Sequence, residues 1–134
     1  MVFRLRLPCE SRAVAAARGT ITNVAGLLGV DQDVATLVAS ELVTNAVRHA
    51  STGDGMVLSV YANRACWFVE VVDHAPTLVP QLPHGDSCFA NLTDDATSGR
   101  GLPLIVLLGG TLEVHSVGQG RKAVSATLDY EPGI

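Results

Sequence analysis

The chain has 134 residues, 48% of them hydrophobic, which is enough apolar side chain for one real core and excludes disorder along its whole length. Nine basic against thirteen acidic residues leave a net charge of −4, so there is no overall positive field with which to hold nucleic acid. The longest uncharged runs, 19–30 and 101–112, are 12 residues, short of the roughly 18 that a membrane span needs. The opening Met-Val-Phe-Arg-Leu-Arg-Leu alternates charge with apolar residues and has no apolar secretory segment, so the expectation is a cytoplasmic protein with no membrane partner. Three cysteines, Cys9, Cys66 and Cys88, without a CxxC spacing argue against a disulfide framework or a zinc site and read as buried or idle thiols.

In chain order, residues 2–7 alternate, with Phe3, Leu5 and Leu7 on one side and Arg4 and Arg6 on the other, as a half-buried strand does; Pro8 stops it. From Ser11, read as an N-cap, apolar residues recur at Val14, Ala17, Ile21, Val24 and Leu28, a helical period closed by Gly29. A second helix starts behind the N-cap Asp31 and runs to about Ala50. Strands are expected over 56–62 and 66–73, joined by Asn63-Arg64-Ala65 as a hairpin. Residues 74–98 carry Pro76, Pro80 and Pro83 and no convincing element, which marks either a functional lid or a disordered loop. Residues 101–108 suit a short buried helix, and 112–117 with 122–130 form a closing hairpin around Gly118-Gln119-Gly120. This order is not the βαβα alternation of a doubly wound sheet. It predicts an α+β fold: a two-layer sandwich whose mostly antiparallel sheet is covered on one face by helices, in one domain spanning 1–134.

At about 100° per residue, Glu41, Asn45 and His49 form an i, i+4, i+8 row on the apolar face of the second helix. A buried carboxylate or amide is costly without a partner, so the row either serves a ligand or metal or sits at a rim bonded to nearby backbone. Asp73 shares parity with Trp67, Val69 and Val71, which puts a carboxylate on the core side of a strand end. There it either accepts a hydrogen bond from a ligand amine or caps the turn. Gly99-Arg100-Gly101-Leu102 leads into the short helix, as an anion-binding glycine turn or as an ordinary loop entry.

Taken together and in order, Glu41-Leu-Val-Thr-Asn45-Ala-Val-Arg-His49, Asp73-His74-Ala75-Pro76 and Gly99-Arg100-Gly101-Leu102 resemble the N, G1 and G2 boxes of the GHKL (Bergerat) ATP-binding superfamily. The wording ELVTNAVRHA and GRGLPLI is most similar to the stand-alone anti-sigma-factor serine/threonine kinases. The resemblance implies ATP and Mg²⁺ as cofactors. It makes Glu41 the catalytic base or orienting group, Asn45 the Mg²⁺ ligand and Asp73 the acceptor of the adenine amine. Ala75, Gly99, Arg100, Gly101 and Leu102 complete the nucleotide site, and 74–98 becomes an ATP lid.

The implied activity is a protein serine/threonine kinase that acts as an anti-sigma factor and phosphorylates an anti-sigma-factor antagonist, with a sigma factor and that antagonist as partners and room for a homodimer. The chain departs from the pattern in that the G1 box often reads Asp-x-Gly-x-Gly whereas Ala75 and Pro76 follow here, and Ala123 is read as standing where a threonine is common. These departures support an alternative, a noncatalytic interaction module of the same fold.

Overall fold

The computed structural model describes residues 2–49, 55–74, 105 and 109–129. The described elements are strand β1 (Val2–Leu7), helices α1 (Arg12–Leu28) and α2 (Gln32–His49), and strands β2 (Met56–Ala62), β3 (Cys66–His74), β4 (Thr111–Gly118) and β5 (Arg121–Asp129). The strands form one sheet in the order β1-β2-β3-β5-β4, with every neighbouring pair antiparallel. The fold is thus the expected α+β arrangement of an antiparallel sheet with helices against it.

Period-2 patterning decides which face the helices cover. Leu58 and Val60 of β2, Val69 and Val71 of β3 and Val124 and Ala126 of β5 are fully buried on one face. The opposite face carries Arg4, Arg6, Ser59, Glu70, Glu113 and Ser125, in rows set by the register. Against the apolar face α2 presents Ala35, Val38, Ala39, Leu42, Val43 and Ala46, and α1 presents Ala13, Ala17, Ile21, Val24 and Ala25, all in one core. The alanines let the helix axes approach closely, while each buried Val, Leu or Ile contributes about 1.5–3 kcal/mol. Tyr61 and Phe68, opposite each other on β2 and β3, stack on the outer face with ring centres 4.5 Å apart.

Local chemistry explains the element ends. Asp31 Oδ1 accepts the Val34 N–H at 3.0 Å and caps α2 as expected. Gly29 takes the left-handed conformation, φ 73°, and the Val30 N–H donates to the Ala25 carbonyl, which closes α1. Ser11 stands at the N-cap of α1, but in helical conformation and with no side-chain capping bond, and the Ala13 N–H donates to the Glu10 carbonyl. In the β2–β3 link, Asn63 Oδ1 accepts the Ala65 and Cys66 N–H groups. Gln119 and Gly120, both at positive φ, make the tight β4–β5 turn. The second strand of the first hairpin runs one residue past its expected end, so His74 belongs to β3 rather than to the segment after it.

Candidate functional site

The two charged or amide groups that sequence patterning placed on the sheet-facing side of α2 separate in the structure. Asn45 is buried, whereas Glu41 is only partly buried. Helical geometry gives the reason. The buried residues of α2 centre near Leu42 and Ala35, and Asn45 falls inside that arc while Glu41 lies about 100–120° from its middle. Glu41 instead lines a polar groove of about 320 Å³ between α1 and α2, together with Arg18, Thr22, Gln32, Thr36 and Ser40. Burial pushes its carboxyl above the usual carboxylate range, against the pull of the Arg48 and Arg18 guanidinium groups. A carboxyl raised in this way is a better proton acceptor than an exposed one.

Asp73 is sealed from solvent on the inner face of β3, as its parity predicted. Directly across from it on β5 stands Lys122, fully buried, with Nζ 3.7 Å from Asp73 Oδ2. Burial raises the Asp73 carboxyl, and the charges of Lys122 and His74 pull it back without cancelling that rise. Cys9, in the turn after β1, ties this pair to α2: its thiol donates to the Ala46 carbonyl at 3.7 Å, and it lies near enough to feel the charges of both Asp73 and Lys122. The residue next to Asn45 in α2 is therefore held beside the Asp73 end of β3. Asn45 Nδ2 and both Asp73 carboxylate oxygens are buried without a hydrogen-bond partner among the described residues. Native interiors rarely leave such groups unbonded, so the cluster fits a site completed by a ligand.

Residues 7–128 match the sequence profile of the histidine kinase-like ATPase domain. The chain belongs to the histidine kinase-like ATPase family. Of solved structures, a histidine kinase from Burkholderia phymatum STM815 is similar in fold, with a TM-score of 0.50 and 19% identity, covering 93% of this chain and 71% of that one. No curated protein matches the chain.

In this histidine kinase-like ATPase domain Asn45 lies on α2 and Asp73 at the end of β3, and the unbonded donor Asn45 Nδ2 and the two unbonded Asp73 acceptor oxygens are of a kind that a polar ligand could satisfy. Ala75, Gly99, Arg100, Gly101 and Leu102, the rest of the 74–98 segment, and the side chain of His49 lie outside the described residues. Two side chains were missed by sequence reasoning. Arg18 lines the same groove as Glu41 from α1, and nothing in its local pattern signals that placement. Lys122 was passed over in favour of Ala123, yet Ala123 pairs with Val72 on the opposite face and Lys122 is the residue facing Asp73. The signal was present: Lys122 shares parity with the apolar Val124, Ala126 and Leu128.

Proposed function

We propose that this histidine kinase-like ATPase domain is an ATP- and Mg²⁺-dependent protein serine/threonine kinase that acts as an anti-sigma factor and phosphorylates its antagonist protein. The carrying observation is that Asn45 Nδ2 and both Asp73 carboxylate oxygens are buried without a hydrogen-bond partner among the described residues, with Glu41, whose carboxyl burial raises, one helical turn before Asn45. In this reading Asp73 accepts from the adenine amine, and the Asn45 amide oxygen holds Mg²⁺ together with the phosphates. When bound, Mg²⁺ would supply charge neutralisation at the phosphates.

Glu41 faces the groove beside Arg18, and a serine or threonine hydroxyl entering there meets a carboxylate able to take its proton. The hydroxyl oxygen then bonds to the γ-phosphorus, the bond from that phosphorus to the β–γ bridging oxygen breaks, and ADP leaves with the electron pair. Arg18 and Arg48 keep the groove favourable for the charged forms involved. Among the described residues no helix is long and apolar enough to cross a membrane.

Glu41→Gln tests the activity, because it keeps the shape and removes the base. Phosphate transfer from radiolabelled ATP to the antagonist should fall by at least about a hundredfold, while ATP affinity stays within a few-fold. A wild-type chain that binds both partners yet transfers no phosphate is the noncatalytic module instead.

A further inference from the structure

Strand β1 lies at an edge of the sheet: it pairs with β2 on one side, and among the described residues no strand pairs with its other side. Alternate residues of an antiparallel strand turn their N–H and C=O groups away from the partner, so β1 offers donors and acceptors to an incoming backbone. The two faces beside that edge differ. On the helix side an apolar groove of about 520 Å³ lies between Phe3 and α1, lined by Ala15, Ala16, Gly19, Val24 and Leu27. Small residues make the room: a Cβ at Gly19 would meet nothing within 4 Å, and Leu27 is left 77% exposed. On the opposite face Arg4 and Arg6 stand exposed, across from the uncharged Ser59 and Val57 of β2. The salt bridges among the described residues include neither arginine, whereas Arg12, the next basic residue, is taken up by Glu10 at 2.6 Å. In a chain of net charge −4 this edge is a basic exception.

Independently of the nucleotide reading above, we propose that the β1 edge is a docking site for another protein, which adds to the sheet an extended segment of alternating acidic and apolar residues. A strand sends successive side chains to opposite faces, which is the period this edge demands. Apolar residues of the segment enter the groove beside Phe3, carboxylates of the other parity meet the Arg4 and Arg6 guanidinium groups, and backbone bonds to β1 hold the segment in line. Charge decides between this occupant and a second copy of the chain. When two copies pair β1 antiparallel with their helices on one side, the registers of fullest overlap set arginine across from arginine, which is destabilising. The two charges that guard the edge against self-pairing thus select an acidic strand.

The test titrates the full chain with dye-labelled peptides by fluorescence anisotropy. One peptide alternates glutamate with valine, a second alternates lysine with valine, and a third has the composition of the first with its glutamates and valines in separate blocks. The first should bind at least about tenfold tighter than either of the others, since only it meets the arginines and the groove in register. Arg4→Glu combined with Arg6→Glu should reverse the preference between the glutamate and lysine peptides. Gly19→Leu fills the groove from an open position on α1, and it should weaken the glutamate peptide by about tenfold or more while the melting temperature does not fall. Equal binding of the glutamate and lysine peptides overturns the proposal, and so does equal binding of the blocked peptide. A glutamate peptide that shows no saturation at millimolar concentration, or one whose affinity is unchanged in Gly19→Leu, overturns it too. A wild type that sediments as a dimer which the glutamate peptide splits assigns the edge to a second copy, against the proposal. Should the doubly charge-reversed variant fail to fold, the three peptides on wild type and on Gly19→Leu still decide.

Discussion

Glu41 and Asp73 both sit in the protein with carboxyls raised above their ordinary range, chiefly by burial. A raised carboxyl binds its proton more tightly in the folded chain than in the unfolded one. Its contribution to stability is therefore full below the ordinary carboxylate pKa and is lost as pH rises through the raised folded value. Wild-type stability, followed by urea unfolding, should decline with rising pH across the window just above the ordinary carboxylate range. Glu41→Gln should flatten part of that decline, matching wild type in acid and exceeding it near neutrality. A variant that tracks wild type at every pH would show that Arg18 and Arg48 already offset the burial of Glu41. Asp73 carries a second consequence, because its neighbour is a sealed ammonium rather than water. Asp73→Asn strands Lys122 and should cost about 3–5 kcal/mol, whereas Asp73→Asn combined with Lys122→Met removes both charges and should recover most of it. Thermal melts of the two variants make the comparison, and equal losses would mean that the ion pair has no coupling.

Two neighbouring glycines just before β4 are required for two different reasons. Gly109, at φ 88°, needs freedom of backbone, and a Cβ there would meet nothing within 4 Å. Gly110 needs space instead: a Cβ would lie 2.8 Å from Ile105 Cγ2 and 2.9 Å from the Ile105 carbonyl oxygen, which accepts the Gly110 N–H. Ile105 is fully buried and its carbonyl is already committed, so neither can retreat cheaply. Gly110→Ala should therefore lower stability by about 1–3 kcal/mol, and Gly109→Ala by about 1–2 kcal/mol through backbone strain alone. Denaturant midpoints measure both, and an unchanged midpoint for Gly110→Ala would show that the turn moves freely. At this scale most of the structure was legible in the sequence. Alternation marked the strands, a 3.6-residue period marked both helices, and Asp31 and Gly29 marked two of their ends. Ser11 misled in part: it stands at the N-cap, but in helical conformation its side chain makes no capping bond. Lys122 was passed over although the parity of β5 already puts it on the inner face with Val124, Ala126 and Leu128.

Assembly of the site is a property of the whole sheet. Asn45 and Asp73 are far apart in sequence, and they meet because β2 returns the chain so that β3 lies under α2, with β5 supplying Lys122 from the chain's last third. Parity showed which face Asp73 occupies, but only tertiary pairing shows that Lys122 opposes it and that Arg18 shares a groove with Glu41. A ligand bound across several elements stabilises all of them together, so nucleotide binding should register in global unfolding. At a hundredfold excess over its dissociation constant a ligand adds about 2.7 kcal/mol, which for a chain of this size raises the melting temperature by about ten degrees. Mg²⁺-ATP should produce such a shift, and ATP with a chelator a smaller one. Asn45→Ala isolates the metal's share. Because Asn45 Nδ2 is buried without a hydrogen-bond partner among the described residues, removing it should change the stability of the free chain by no more than about 1 kcal/mol. The Mg²⁺-dependent part of the shift should vanish in this variant while the metal-independent part persists. Identical responses of wild type and Asn45→Ala to Mg²⁺-ATP would remove Asn45 from the metal site and leave its buried amide without a role.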